Sequence, residues 1–127
     1  MHLATLLQYN NEGLFILRLA LAAIFIHHGL PKLRQHQAMG KGMGMPAALV
    51  FILGLVETLS GVGLALGVYT QLAALLLGLV MLGALKMKIF KWKTPFAASN
   101  ATGWEFDLIL LAAAAAILFT GGGGIGI

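Results

Sequence analysis

The stretch Arg18-Leu-Ala-Leu-Ala-Ala-Ile-Phe-Ile-His27-His28-Gly29-Leu-Pro31-Lys32 closes a long apolar run, yet it carries an arginine, two histidines and a lysine. At a helical repeat of about 100° per residue, Arg18, Ala22, Phe25, Gly29 and Lys32 fall on one stripe. His28 flanks that stripe and His27 points away from it. A cation inside an apolar helix is costly in hydrocarbon unless something answers it. Such a helix belongs in a bundle whose other members supply the answering groups.

The rest of the composition sets that bundle in a membrane. Of 127 residues, 60% are hydrophobic and 9% charged, and mean hydropathy is +0.94. A soluble domain carries about 25% charged residues, so this chain has too few polar groups to cover a globule in water. The net charge of +4 is not a nucleic-acid signature. Seven of the eight basic residues (Lys32, Arg34, Lys41, Lys86, Lys88, Lys91 and Lys93) lie in two short segments between apolar runs, where anionic lipid headgroups are the expected neighbours. No nucleic-acid partner is expected. With no cysteine, the chain offers no disulfide exchange, thiolate catalysis or iron–sulfur ligation. Met1–Asn11 has no basic region ahead of the apolar run, which ends in His-His-Gly-Leu-Pro-Lys instead of a small-residue cleavage site. The run reads as a retained span.

An all-α, single-domain transmembrane bundle of four helices follows from the punctuation. Residues 1–12 form a polar lead. Helix one spans roughly 13–30, closed by Gly29 and Pro31. Residues 31–45 read as a glycine-rich loop on the membrane surface. Pro46 opens a second helix over 46–66, as suits a first helical position. A third follows over 70–89, then a polar loop over 94–103 and a fourth helix over 104–120. Each run approaches the roughly 20 residues needed to cross a bilayer core. The alanines at 112–116 present a small-residue packing face. Basic residues collect in the first and third loops, which the positive-inside rule assigns to the cytoplasm, leaving both termini outside. The lysines that follow helix three are expected among the headgroups.

Two polar groups need partners inside the bundle. Glu57 sits mid-way along helix two with Gly54, Ser60 and Gly61. Counting depths along antiparallel helices leaves about 6 Å between it and Arg18, a distance the arginine spans. The expected intramembrane pair is therefore Arg18 with Glu57, either as a structural ion pair or as part of a ligand site. At the other end, His27, His28, Lys32, Lys86, Glu105 and Asp107 converge. Of these, His28, Lys32, Glu105 and Asp107 form the candidate ligand or proton-exchange site. Imidazole titrates near neutral pH, while carboxylates are also stabilised simply by sitting at a helix N-terminus. Only helix one carries suitably placed histidines, which argues against haem held between two histidines. Zinc needs three or four converging ligands, and lysines surround these histidines. A quinone fits better, because it asks for an apolar slot and one or two hydrogen-bonding groups.

These residues resemble the DoxX family of small four-helix bacterial membrane proteins. The resemblance rests on Arg18, on His28-Gly-Leu-Pro-Lys32, on Glu57-Thr-Leu-Ser-Gly61-Val-Gly63-Leu-Ala-Leu-Gly67, on Gly103-Trp104-Glu105 and on the glycine-rich tail. Family members often continue into a polar tail, whereas this sequence reads Gly126-Ile127 there. The resemblance implies a membrane subunit of a quinone-linked oxidoreductase system in the bacterial inner membrane. Other membrane or membrane-associated subunits, or a second copy of the chain, would be its protein partners. Two other classes compete: a non-catalytic anchor that stabilises a membrane complex, and a small-solute transporter. The transporter class lacks support in the form of an inverted repeat or broken helices.

Overall fold

A computed structural model describes residues 3–99 and 101–127. Met1 and His2 of the expected polar lead, and Asn100 of the expected 94–103 loop, lie outside the described residues. A 3-10 helix at Leu3–Tyr9 runs into α1 (Asn10–Arg34), followed by α2 (His36–Met43), α3 (Ala47–Leu66), α4 (Thr70–Lys86) and α5 (Trp104–Thr120). A π-helical turn, Met87–Lys91, continues α4. No strand occurs among the described residues. Among the described residues, three helical stretches are long and apolar enough to cross a membrane: Leu3–Arg34, Ala47–Leu66 and Thr70–Lys91. Five α-helices are present among those residues where four were expected. With 17 residues, α5 reaches about 26 Å at 1.5 Å per residue.

Two expectations fail at the end of α1. The helix continues through Gly29 and Pro31 to Arg34. Proline removes one backbone donor, but it sits in the last turns, and membrane helices tolerate it where neighbours cover the freed carbonyl. Gly29 marks a helix crossing instead of a helix end. A Cβ there would lie 2.9 Å from the backbone nitrogen of Thr58 and 3.0 Å from the Gly54 carbonyl. The supposed loop over 31–45 also folds, forming α2. That helix stops at Gly44, whose left-handed φ of 69° glycine adopts without a Cβ penalty.

The helices pack as two antiparallel pairs, α1 with α3 and α4 with α5, while α1 barely touches α5. Small residues set the first pair: a Cβ on Gly61 would come within 3.2 Å of the Ala22 carbonyl, and one on Gly54 within 2.9 Å of the Gly29 carbonyl. In hydrocarbon, where apolar burial gives helices no preference for one another, such close packing is what drives association. The core joins Leu21, Ala22 and Phe25 of α1 to Leu64 of α3. Ala73, Leu77 and Met81 of α4 and Leu110, Ala114 and Ile117 of α5 complete it. Of the alanines at 112–116, Ala114 is buried, whereas Ala112 and Ala116 face outward. Leu59, Leu79, Ile109 and Phe119 are more than half exposed, as befits side chains that face lipid.

Candidate functional site

The α1 stripe is buried as its period requires, with Arg18, Ala22, Phe25 and Gly29 all inside. The expected pairing of Arg18 with Glu57 is not what forms. Arg18, 1% exposed, donates from Nε to the Leu64 carbonyl at 2.9 Å and from Nη1 to the Gly122 carbonyl at 3.2 Å. A second Nη1 bond reaches the Ile125 carbonyl. Glu57 is instead held by Lys32, whose Nζ lies 2.8 Å from both carboxylate oxygens.

Two physical facts explain the exchange. Gly61 is level with Ala22; Arg18 lies four residues to one side of that level and Glu57 four to the other, about 12 Å apart along the axis. Helical side chains also lean toward the N-terminus of their own helix. Arg18 therefore leans away from the bundle centre, toward the turn after α3. Lys32 leans back into the bundle, and Glu57 leans toward it.

Arg18 thus fastens the far end of the bundle. Three successive glycines at left-handed φ, Gly121 to Gly123, turn the chain back over it. The returning segment is tied down by Asn11 Oδ1, which accepts from the Gly124 nitrogen at 3.1 Å. The Thr70 hydroxyl donates to the Gly121 carbonyl at 3.1 Å, and the Ile127 nitrogen to the Leu66 carbonyl at 2.9 Å. Among the described residues the arginine holds carbonyls and no carboxylate.

The other end, where the basic segments lie, contains a cavity of about 650 Å³. Phe25, His28, Lys32 and Glu57 of the first helix pair face Met81, Phe106, Asp107 and Leu110 of the second across it. A second buried ion pair stands on its wall: Lys88 Nζ is 2.7 Å from Asp107 Oδ2, with the side chains 16% and 6% exposed. Lys88 also donates to the Thr102 hydroxyl at 3.1 Å. This corrects its expected place among the headgroups. The carboxylate on the first turn of α5 points inward, and a desolvated carboxylate draws the nearest flexible cation. His28 packs against the Phe106 ring at 5.6 Å between centroids.

Of the four residues expected to form one site, His28, Lys32 and Asp107 line the cavity, as does Lys86. Glu105 does not; it faces outward, its backbone nitrogen bonded to the Phe96 carbonyl at 3.0 Å. Glu57, expected with Arg18, belongs here instead. Met43 and Met45 of the segment expected as a surface loop, Trp92 of the basic run expected among the headgroups, and Thr102 of the expected polar loop also line the cavity; nothing in their local sequence marked them as facing it.

The arrangement combines a long apolar wall with two clustered polar spots. Lys32, Lys88 and His28 can donate hydrogen bonds, while Glu57 and Asp107 can accept them. It suits a ligand with a flat or extended apolar body and one or two acceptor oxygens.

No solved structure matches the chain. A curated relative, "Putative oxidoreductase CatD" of Bacillus subtilis (strain 168), is 30% identical over 112 residues, covering 86% of this chain and 79% of the relative. The DoxX family model matches residues 13–92, which carry Arg18, His28, Lys32, Glu57 and Lys88. The chain belongs to the DoxX family.

Proposed function

We propose that this protein is a membrane subunit of a quinone-linked oxidoreductase system and that the cavity between its helix pairs receives the quinone ring. The observation that carries this is the cavity itself: about 650 Å³, apolar over most of its wall, with two polar clusters, Lys32–Glu57 and Lys88–Asp107, set in it. Small-molecule sites typically enclose 300–1,000 Å³ with a few placed polar groups. The oxidoreductase name of the Bacillus subtilis relative and the family membership support the redox setting.

A bound quinone supplies a two-electron, two-proton couple. The chain's own residues position and protonate. Lys32 Nζ and the His28 ring offer hydrogen bonds to carbonyl oxygens, and Phe25 and Phe106 flank an apolar ring. Glu57 and Asp107 orient the adjacent ammonium groups. The electrons come from a partner subunit or soluble donor. On this proposal α5 is a fourth span, and the basic end faces the cytoplasm of a bacterial inner membrane, with both termini outside.

One observation favours a non-catalytic anchor: each buried carboxylate already has a lysine of the same chain beside it, as a purely structural role would have it. Titrating the purified protein with a short-chain quinone, followed by quenching of Trp92, separates the two. Saturable quenching that weakens about tenfold or more in Lys32→Met, through loss of a charge-assisted donor, supports the quinone site. Quenching that never saturates, and is the same in both proteins, supports the anchor.

A further inference from the structure

The geometry points to a side door: the ligand reaches this cavity from within the bilayer, between α3 and α4, and its chain lies in a slot whose floor is Gly83. The inference rests on the proposed quinone site and adds the route, and with it the requirement for a membrane-dissolved ligand with a tail.

The helices α3 and α4 meet near the turn that joins them, where a Cβ on Gly63 would lie 3.8 Å from the Ala73 Cβ. Counting back along the antiparallel pair sets Val56 level with Val80, Leu53 with Gly83, and Leu49 with Met87. All six line the cavity, so the cavity occupies the space between the basic-end halves of these two helices. Its outer edge is apolar and uncovered: Leu49 is 40% and Leu79 56% exposed.

The other approaches carry polar or aromatic side chains. Between α1 and α5, which touch little, the His28 ring packs against Phe106. At the watery end, Met43, Met45, Trp92 and Thr102 stand over the cavity, and Lys91 Nζ donates to the Gly44 carbonyl at 3.2 Å, tying the α2–α3 turn to the π-helical turn. The polar groups thus face a roofed end and the apolar wall faces lipid. That is the polarity of a ligand whose head goes in and whose tail stays out.

Gly83 is the residue that keeps the slot clear. It lines the cavity, and a Cβ added there meets nothing within 4 Å. A glycine in a helix interior, with no close neighbour to require it, is unfavourable by propensity alone, so the open space is the reason available for it. A larger side chain would occupy the slot without pressing on the fold.

The test uses the full chain in detergent and two probes: a decyl-substituted dimethoxy-methyl-benzoquinone and the same ring without the decyl chain. In Gly83→Leu, affinity for the decyl probe should fall about tenfold or more, the usual cost of one overlapping side chain, while the tail-less ring binds as before. Leu53→Phe, filling the slot from the facing helix, should give the same pattern, and melting curves identify any variant that fails to fold. Equal loss for both probes in the two folded variants, or no loss for either, overturns the side door and leaves the quinone site standing. Absence of saturable binding of both probes to the unaltered protein removes the quinone site, and the side door with it.

Discussion

Removing one member of the Lys32–Glu57 pair should cost different amounts depending on which member goes. The two side chains are 13% and 3% exposed, and Lys32 holds both oxygens of the carboxylate at 2.8 Å. Breaking a buried pair from one side typically costs about 3–5 kcal/mol, because the remaining charge is stranded. Lys32→Leu strands Glu57, a short side chain buried mid-way along α3 that cannot swing to the interface, so the upper part of that range applies. Glu57→Leu strands Lys32, but Lys32 lies two residues from Arg34, the end of α1. Its four-carbon stem can swing the ammonium to the interface, which lowers the cost to about 2–3 kcal/mol. Replacing both should recover most of the larger loss. A double-mutant cycle on the detergent-solubilised protein, read by unfolding in graded denaturing detergent, measures all three. As an internal control, Arg18→Leu combined with Glu57→Leu should be additive within about 0.5 kcal/mol. Additive losses for Lys32 and Glu57, or strong coupling between Arg18 and Glu57, would refute the reasoning.

Three further outcomes are expected. Gly29→Val should lower stability by about 2 kcal/mol or more, since its Cβ would meet α3 backbone, whereas Gly83→Ala should raise it by about 0.5–1 kcal/mol; thermal melts compare the two. Arg18→Lys, which loses the guanidinium fork, should expose the segment Gly122–Gly126 to limited proteolysis at a protease concentration that leaves the unaltered protein intact. Single cysteines at Leu3 and Gln37 should react with an impermeant reagent from opposite faces of the membrane, Leu3→Cys from outside, and labelling of both from one face would reject the proposed topology.

Much of the architecture was legible because it depends on local periodicity. The α1 stripe, the Gly54–Glu57–Ser60–Gly61 face of α3 and the apolar lengths all follow from residues three or four apart. What escaped was whatever depends on register between helices. A depth count placed Arg18 beside Glu57, but the glycine contacts slide the helices so that Ala22 meets Gly61. The lean of helical side chains then sends Arg18 to the C-terminal turn and Lys32 to the carboxylate. Pro31 read as a stop because its usual effect is to end helices, whereas in the last turn of α1 it removes a single backbone donor and the helix runs on to Arg34. Lys88 read as a headgroup contact because it sits in a basic run, while the buried Asp107 that draws it inward is nineteen positions away and came close only through the packing of α4 on α5.

The central claim is that the cavity between the helix pairs holds a quinone ring. Photolysis of the protein with an azido-substituted short-chain quinone, followed by mass mapping of the adducts, tests it directly. Adducts confined to peptides carrying Met43, Met45, Leu53, Gly83 and Trp92, and abolished by excess unmodified quinone, are the predicted result. Adducts spread over lipid-facing residues such as Leu59, Ile109 and Phe119, unaffected by competitor, would contradict it.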